Sequence, residues 1–182
     1  MGQRPDPADS ELVLAIVARD DRVAFARLVQ RHQSMVRSVL RRLTKGDHGL
    51  ADDLAQETFL LAWRNLPSFR FDARFSTWLY RIAFNAWLTQ ARKRREVLFA
   101  DEDAMPGHEE EAQDAPAPER IDLERALEAL SDGERAAISA CYYADLTHEE
   151  AADALGVPLG TLKTHILRAK VKLRARLGED FR

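Results

Sequence analysis

Residues 100–118 decide the architecture before any other part of the chain does. This stretch holds seven Asp/Glu, no Lys or Arg, and three prolines, Pro106, Pro116 and Pro118. It carries almost no large apolar side chains. Such a segment cannot bury enough surface to offset the entropy of ordering it. It reads as a flexible acidic linker. The 182 residues therefore divide into two small domains, 9–96 and 119–178, joined by an acidic connection over 97–118.

Both blocks read as all-α. Strand-like alternation is scarce, and apolar residues recur at helical spacing. Leu12, Ile16 and Val17 mark a first short helix. Asp20 and Asp21 are placed to cap a second, whose apolar face runs Phe25, Leu28, Val29, Val36, Val39, Leu40 and Leu43. Gly46 and Gly49 are expected to end it. A third helix is expected over residues 50–66, stopped by Pro67. A loop over 68–74 then leads to a fourth, residues 76–96, which begins aromatic and ends in Arg92-Lys93-Arg94-Arg95.

Past the linker, a helix is expected over 119–130. Ser131-Asp132-Gly133-Glu134 and Thr147-His148-Glu149-Glu150 each match a capping box, in which the first hydroxyl caps and the Glu reaches back. They start helices expected to run through Tyr143 and to Leu155. Gly156-Val157-Pro158 makes a turn, with Pro158 suited to the first helical position. A last helix runs from Leu159 to Leu177.

The net charge of −3 argues against a nucleic-acid binder only until its distribution is examined. Residues 1–96 are net basic, and the acidic excess is concentrated in 97–118. The stretch 159–177 holds six Lys/Arg and no acid. Local fields, not the total, decide what a surface attracts. A single cysteine, Cys141, excludes an intramolecular disulfide. It fits a small buried apolar position. The chain has no signal-like start, and no apolar run nears the roughly 18 residues of a membrane span. A cytoplasmic location without membrane insertion is expected.

A short capped helix, a turn with Gly and a longer basic helix make a helix-turn-helix. Ala151, Ala152, Leu155, Val157, Leu162 and Ile166 supply its apolar faces. Thr161, Lys163, Thr164, His165 and Arg168 lie near the start of the second helix, where side chains reach base edges in the major groove. Lys170, Lys172, Arg174 and Arg176 follow, at positions suited to phosphate. A lone basic helix is as often a solvated face. The capped partner helix and the turn favour DNA binding.

The segment from Leu146 to Lys170, LTHEEAADALGVPLGTLKTHILRAK, resembles the C-terminal helix-turn-helix of extracytoplasmic-function sigma factors of bacterial RNA polymerase. Two N-terminal runs resemble the same family independently. Asp52 to Trp63, DDLAQETFLLAW, is similar to its polymerase-binding helix, and Phe75 to Asn85, FSTWLYRIAFN, to its promoter-melting segment. The resemblance covers nearly everything but the linker. It implies an initiation factor, not an enzyme, that binds core RNA polymerase through the largest subunit's clamp helices and the flap. It would read the −10 and −35 elements of promoter DNA. An anti-sigma factor is a further implied partner.

By residue, the resemblance places Asp53, Gln56 and Glu57 against core polymerase, and their spacing puts all three on one helix face. The competing reading is that Asp52 and Asp53 only favour a helix N-terminus through its dipole. Phe69, Asp72, Ser76, Trp78, Arg81 and Asn85, with Arg92 and Arg94 on the backbone, would handle the −10 element as single strand. Stacked bases are worth about 1–3 kcal/mol each. Trp78, Phe84 and Trp87 also fit a helical core. Thr161, Lys163, Thr164, His165, Arg168 and Lys170 would handle the −35 element. Thr89 and His165 depart from residues frequent in relatives, so no relative's promoter sequence carries over.

Two rivals remain open at this stage. An enzyme would need machinery that the sequence lacks: there is no Gly-rich phosphate loop, and His32, His48, His108, His148 and His165 are scattered without metal spacing. No cofactor is expected. A stand-alone helix-turn-helix regulator would have no need of the 53/56/57 face or the Asn85 segment.

Overall fold

A computed structural model describes residues 8–100 and 126–177. The expected linker and most of the helix expected over 119–130 lie outside those residues. Every described element is helical. The order is α1 (Asp9–Arg19), α2 (Arg22–Leu43), α3 (His48–Asn65), a 3-10 turn (Leu66–Ser68), α4 (Phe75–Ala100), α5 (Asp132–Ile138) continuing as a π turn (Ser139–Tyr143), α6 (His148–Leu155) and α7 (Leu159–Leu177).

The N-terminal unit is a four-helix packing whose joints follow from short polar side chains. Asp20 leaves α1 in the left-handed region, φ 53°. Asp21 then caps α2, its Oδ1 accepting from the backbone N–H of Val23 and Ala24, both at 3.0 Å. Asp9, in the first turn of α1, ties that helix to α2 through Arg31 and His32 Nε2, the latter at 2.8 Å. Asp47 caps α3 by accepting from Leu50 N–H at 2.9 Å. Gly46, at φ 85°, makes the turn, whereas Gly49 falls inside the first turn of α3 and ends nothing.

Leu12, Val13, Ile16, Leu28, Val36, Val39, Leu40, Leu43, Leu54, Leu66 and Leu79 fill the core. Each such side chain contributes about 1.5–3 kcal/mol on burial. Ala51, Ala55 and Ala62 on α3 and Ala83 on α4 keep the helix contacts close.

In the C-terminal unit both capping boxes form. Ser131 Oγ accepts from Glu134 N–H at 3.3 Å, and Glu134 Oε2 accepts from Ser131 N–H at 2.9 Å. Thr147 and Glu150 repeat the exchange at 3.2 and 2.8 Å. Gly156 closes α6 at φ 67°, which an L side chain resists. Pro158 stands just before α7, its carbonyl accepting from Leu162 N–H at 3.0 Å.

A buried Arg135 holds this unit together. It is 1% exposed and donates to the carbonyls of Leu127 (3.2 Å), Glu128 (3.4 Å) and Leu130 (2.8 Å). Those carbonyls end the helical turn before α5; the one of Leu127 also accepts from Leu130 N–H at 3.2 Å, so Glu128 and Leu130 depend most on the guanidinium. Lys172 of α7 reaches Glu134 at 2.7 Å. Burial opposes the Glu134 charge, but Lys172 and Ser131 outweigh it and hold the carboxyl below its ordinary range.

The two units pack against each other. α6 lies on α4, and the π turn lies against α2. Tyr80 of α4 is fully buried and donates its hydroxyl to the carbonyl of Ala136 at 3.0 Å. The Arg42 guanidinium sits 3.3 Å over the Tyr143 ring.

Candidate nucleic-acid and polymerase interfaces

Three surfaces collect the residues singled out in the sequence. The first is on α3. Asp53, Gln56 and Glu57 are all exposed and share one face, and Leu60, 60% exposed, extends it by one turn. α3 begins at His48 and is capped by Asp47, so Asp52 and Asp53 lie beyond the first turn. A dipole effect that fades within that turn does not explain them. Asp52 is half-buried and approaches Arg37 of α2 at 3.5 Å, which gives it an internal role that its three neighbours on the exposed face do not share.

The second surface surrounds the start of α4. Phe69, Phe71, Phe75 and Trp78 form one aromatic cluster, with ring centroids 4.8 Å (Phe69–Phe71), 5.2 Å (Phe69–Trp78) and 5.6 Å (Phe75–Trp78) apart. Phe75 is buried within it, Phe69 and Trp78 are half-buried, and Phe71 is 45% exposed. Phe71 holds φ 62°, a left-handed conformation uncommon for an aromatic residue. Asp72 and Asn85 are exposed and Ser76 is half-buried. Phe84 stacks on Tyr80 at 6.3 Å and meets Trp87 at 5.6 Å, and Trp87 is buried. Those two aromatics serve packing, as their spacing allowed.

Further arginines sit on α4 or just before it. Arg81 pairs with Asp153 of α6. Arg92 is exposed, and Arg94 reaches Asp47 at 3.3 Å. Arg74 was not singled out in the sequence, yet it makes the richest contact here. Its Nε and Nη2 donate to the two Glu150 carboxylate oxygens at 3.0 and 2.8 Å, and Nη2 also donates to the Asp145 carbonyl at 2.7 Å. Thr77 Oγ1 adds a third donor to Glu150 at 3.1 Å. The Arg74 fork first, then Thr147 and Thr77, hold the Glu150 carboxyl down to about 2. The capping box marks Thr147 and Glu150 in the sequence, but nothing there marks the meeting of Glu150 with Arg74 and Thr77, more than seventy residues away.

The third surface is α7. Thr161, Lys163, Thr164, Arg168 and Lys170 are exposed, while Leu162, Ile166 and Ala169 point into the unit. His165 differs from its neighbours. It is half-buried, with its ring against Gly133, where an added Cβ would lie 3.0 Å from the imidazole Cε1. Its Nδ1 is buried without a partner. Lys172 is engaged with Glu134 and so is less available to phosphate than its spacing implied. Among the described residues no group of three or more His, Cys, Asp or Glu is arranged to hold a metal ion. No helix among them is long and apolar enough to cross a membrane.

Paired helical units, one carrying an acid–amide helix face and an aromatic-basic helix, the other a helix-turn-helix, define a two-domain DNA-binding transcription factor. Comparison with known proteins narrows the class. The chain matches Sigma-70 region 2 over residues 28–97 and Sigma-70 region 4 over 120–173. It is 38% identical over 178 residues to the ECF RNA polymerase sigma factor SigM of Mycobacterium tuberculosis, covering 97% of this chain and 88% of the relative. It is 30% identical to SigW of Bacillus subtilis, covering 90% of this chain and 94% of the relative. The solved complex of the sigma factor RpoE with the anti-sigma factor NepR from Bartonella quintana aligns with a TM-score of 0.74 at 29% identity, covering 86% of this chain and 98% of that one. CnrH, solved with the cytosolic domain of CnrY, aligns with a TM-score of 0.69 at 27% identity, covering 96% and 99%.

The chain belongs to the extracytoplasmic-function sigma factors. It is a transcription initiation factor that directs RNA polymerase to promoters, and not an enzyme. That sets aside the stand-alone regulator.

Proposed function

We propose that the three surfaces divide the work of initiation by residue. Asp53, Gln56 and Glu57, with Leu60 beside them, dock on the clamp helices of the largest polymerase subunit. The loop over 69–72 and the exposed edge of α4 at Ser76, Trp78, Arg81 and Asn85 trap the −10 element as single strand, with Arg92 and Arg94 following its backbone. The exposed face of α7 at Thr161, Lys163, Thr164 and Arg168 reads the −35 element in the major groove, and Lys170 lies on phosphate. His165 supports α7 from the inside against Gly133. The protein works in the cytoplasm, where core polymerase is, and an anti-sigma factor holds it inactive, as the partners of RpoE and CnrH suggest.

One observation carries the docking assignment. The acid–amide face of α3 stays exposed while its neighbour Asp52 turns to Arg37. Asp53→Lys with Gln56→Ala lowers retention on immobilised core polymerase by at least tenfold while leaving the circular dichroism spectrum unchanged. Wild-type retention refutes the docking face.

A further inference from the structure

The seam between the two units has the chemistry of a nucleic-acid contact made by the wrong ligand. A guanidinium fork, a hydroxyl and a second arginine, from Arg74, Thr77 and Arg81, converge on two carboxylates of α6, Glu150 and Asp153. Fork geometry of this kind holds a carboxylate or a phosphodiester equally well. At the start of α4 and along it these donors neighbour Trp78 and Asn85, because positions 74, 78, 81 and 85 fall within one helical stripe.

We infer that Arg74, Thr77 and Arg81 are a DNA-backbone site for the −10 strand, and that Glu150 and Asp153 occupy it in the free chain as phosphate substitutes. The two occupants exclude each other. α6 must leave α4 before the −10 strand can bind.

Three features support a contact built to release. The rim of the seam is open to water, with the Arg74 and Arg81 side chains 50% and 44% exposed, so competing anions and salt reach these two arginines even though Thr77 and Tyr80 beneath them are buried. Glu150 keeps its second task when Arg74 departs, because Thr147 N–H still bonds its Oε2 at 2.8 Å and α6 stays capped. Opening therefore does not melt the helix-turn-helix. The closure is also one-sided: α6 covers the α4 site, while Lys163, Thr164 and Arg168 of α7 remain exposed.

The inference rests on the −10 reading given under Proposed function, and its test separates the two. Glu150→Gln with Asp153→Asn removes both carboxylate charges while Gln still suits the capping box. Glu149→Lys makes the same change in net charge on the same helix without touching the seam. Small-angle scattering of the full chain reports opening, and fluorescence anisotropy with a labelled single-stranded DNA of mixed sequence, without core polymerase, reports binding.

The double variant is expected to have a larger radius of gyration at low salt, as the wild type acquires at high salt. It should bind the strand about tenfold tighter than the Glu149→Lys chain, since a closed population lowers apparent affinity in proportion. Arg81→Glu with Asp153→Lys should restore compactness. A double variant as compact as wild type overturns the carboxylate latch. One that opens but binds no tighter than Glu149→Lys overturns Arg74, Thr77 and Arg81 as a backbone site, while the −10 reading itself fails only if Asn85→Ala in the opened chain also leaves strand binding unchanged.

Discussion

Replacing Arg135 tests whether the C-terminal unit depends on one buried cation. Arg135→Met keeps most of the apolar stem and removes every donor. The bonds to Leu130 (2.8 Å) and Leu127 (3.2 Å) are the strong ones. Bonds from a charged donor are worth about 1.5–3 kcal/mol each, so their loss amounts to roughly 3–6 kcal/mol. Burial disfavours the guanidinium charge itself, which lowers its pKa, and relief of that strain returns part of the loss. A net destabilisation of about 2–3 kcal/mol remains. A unit of this size has only about 3–9 kcal/mol in total. Its unfolding transition should fall by roughly 10–20 °C. Thermal unfolding followed by circular dichroism measures this directly, with proteolysis between the units as a second readout. Arg135→Lys, which keeps a charge but not the fork, should lie between Met and wild type. A Met variant that loses less than about 4 °C refutes the assignment, because the Leu130 carbonyl would then need no donor from residue 135.

Other outcomes follow from the same geometry. Lys163→Ala and Arg168→Ala should each reduce discrimination between cognate and mutated −35 sequences by about 1–3 kcal/mol in holoenzyme binding assays, whereas Lys170→Ala should weaken all sequences alike; a uniform loss for all three would reassign them to phosphate. Tyr80→Phe removes one hydrogen bond to Ala136 and no ring packing, and the Ser139 N–H still reaches that carbonyl. It should shift the closed equilibrium by about 0.5–1.5 kcal/mol toward open, read by scattering, with the N-terminal core intact. Because Glu150 titrates lower in the folded chain than in an unfolded one, its contribution to the closed seam is complete above about pH 4.5 and is lost as pH falls toward 2. The seam should thus stay closed in near-ultraviolet dichroism from pH 7 to 5, and opening complete by pH 5 would contradict Glu150 as its anchor.

Much of the secondary structure was legible because local chemistry writes it. Asp21, the Ser131 and Thr147 boxes, and Gly156 each act within four residues of themselves, and each does what its pattern implied. Boundaries set by packing were less legible. α4 runs to Ala100, past the expected residue 96, and α5 ends in a π turn that no local signal announces. Gly49 was read as a helix stop, but Asp47 had already supplied the next cap. Residues 53, 56 and 57 were singled out by the family resemblance, and their sharing one exposed face of α3 followed from their spacing. The inward turn of His165 did not, since it depends on a missing side chain at Gly133 in another helix. Arg135 and the Arg74 group were invisible for a common reason. A buried arginine and a surface one look identical in sequence, and only long-range packing decides which carbonyl or carboxylate each one meets.

The closed seam also bears on why an acidic chain can serve a DNA-binding role. With a net charge of −3, unaided attraction to DNA should be weak, and in the closed form Arg74 and Arg81, the arginines proposed above for the −10 strand, are neutralised internally. The exposed face of α3 is not similarly engaged, so the proposed docking face remains accessible while the proposed α4 site stays covered. Docking through α3 can therefore precede exposure of the DNA site. Any core contact that draws the helix-turn-helix unit away from α4 would release Arg74 and Arg81 only where polymerase is already bound. The arginines most useful at the promoter would then be the ones least available away from it.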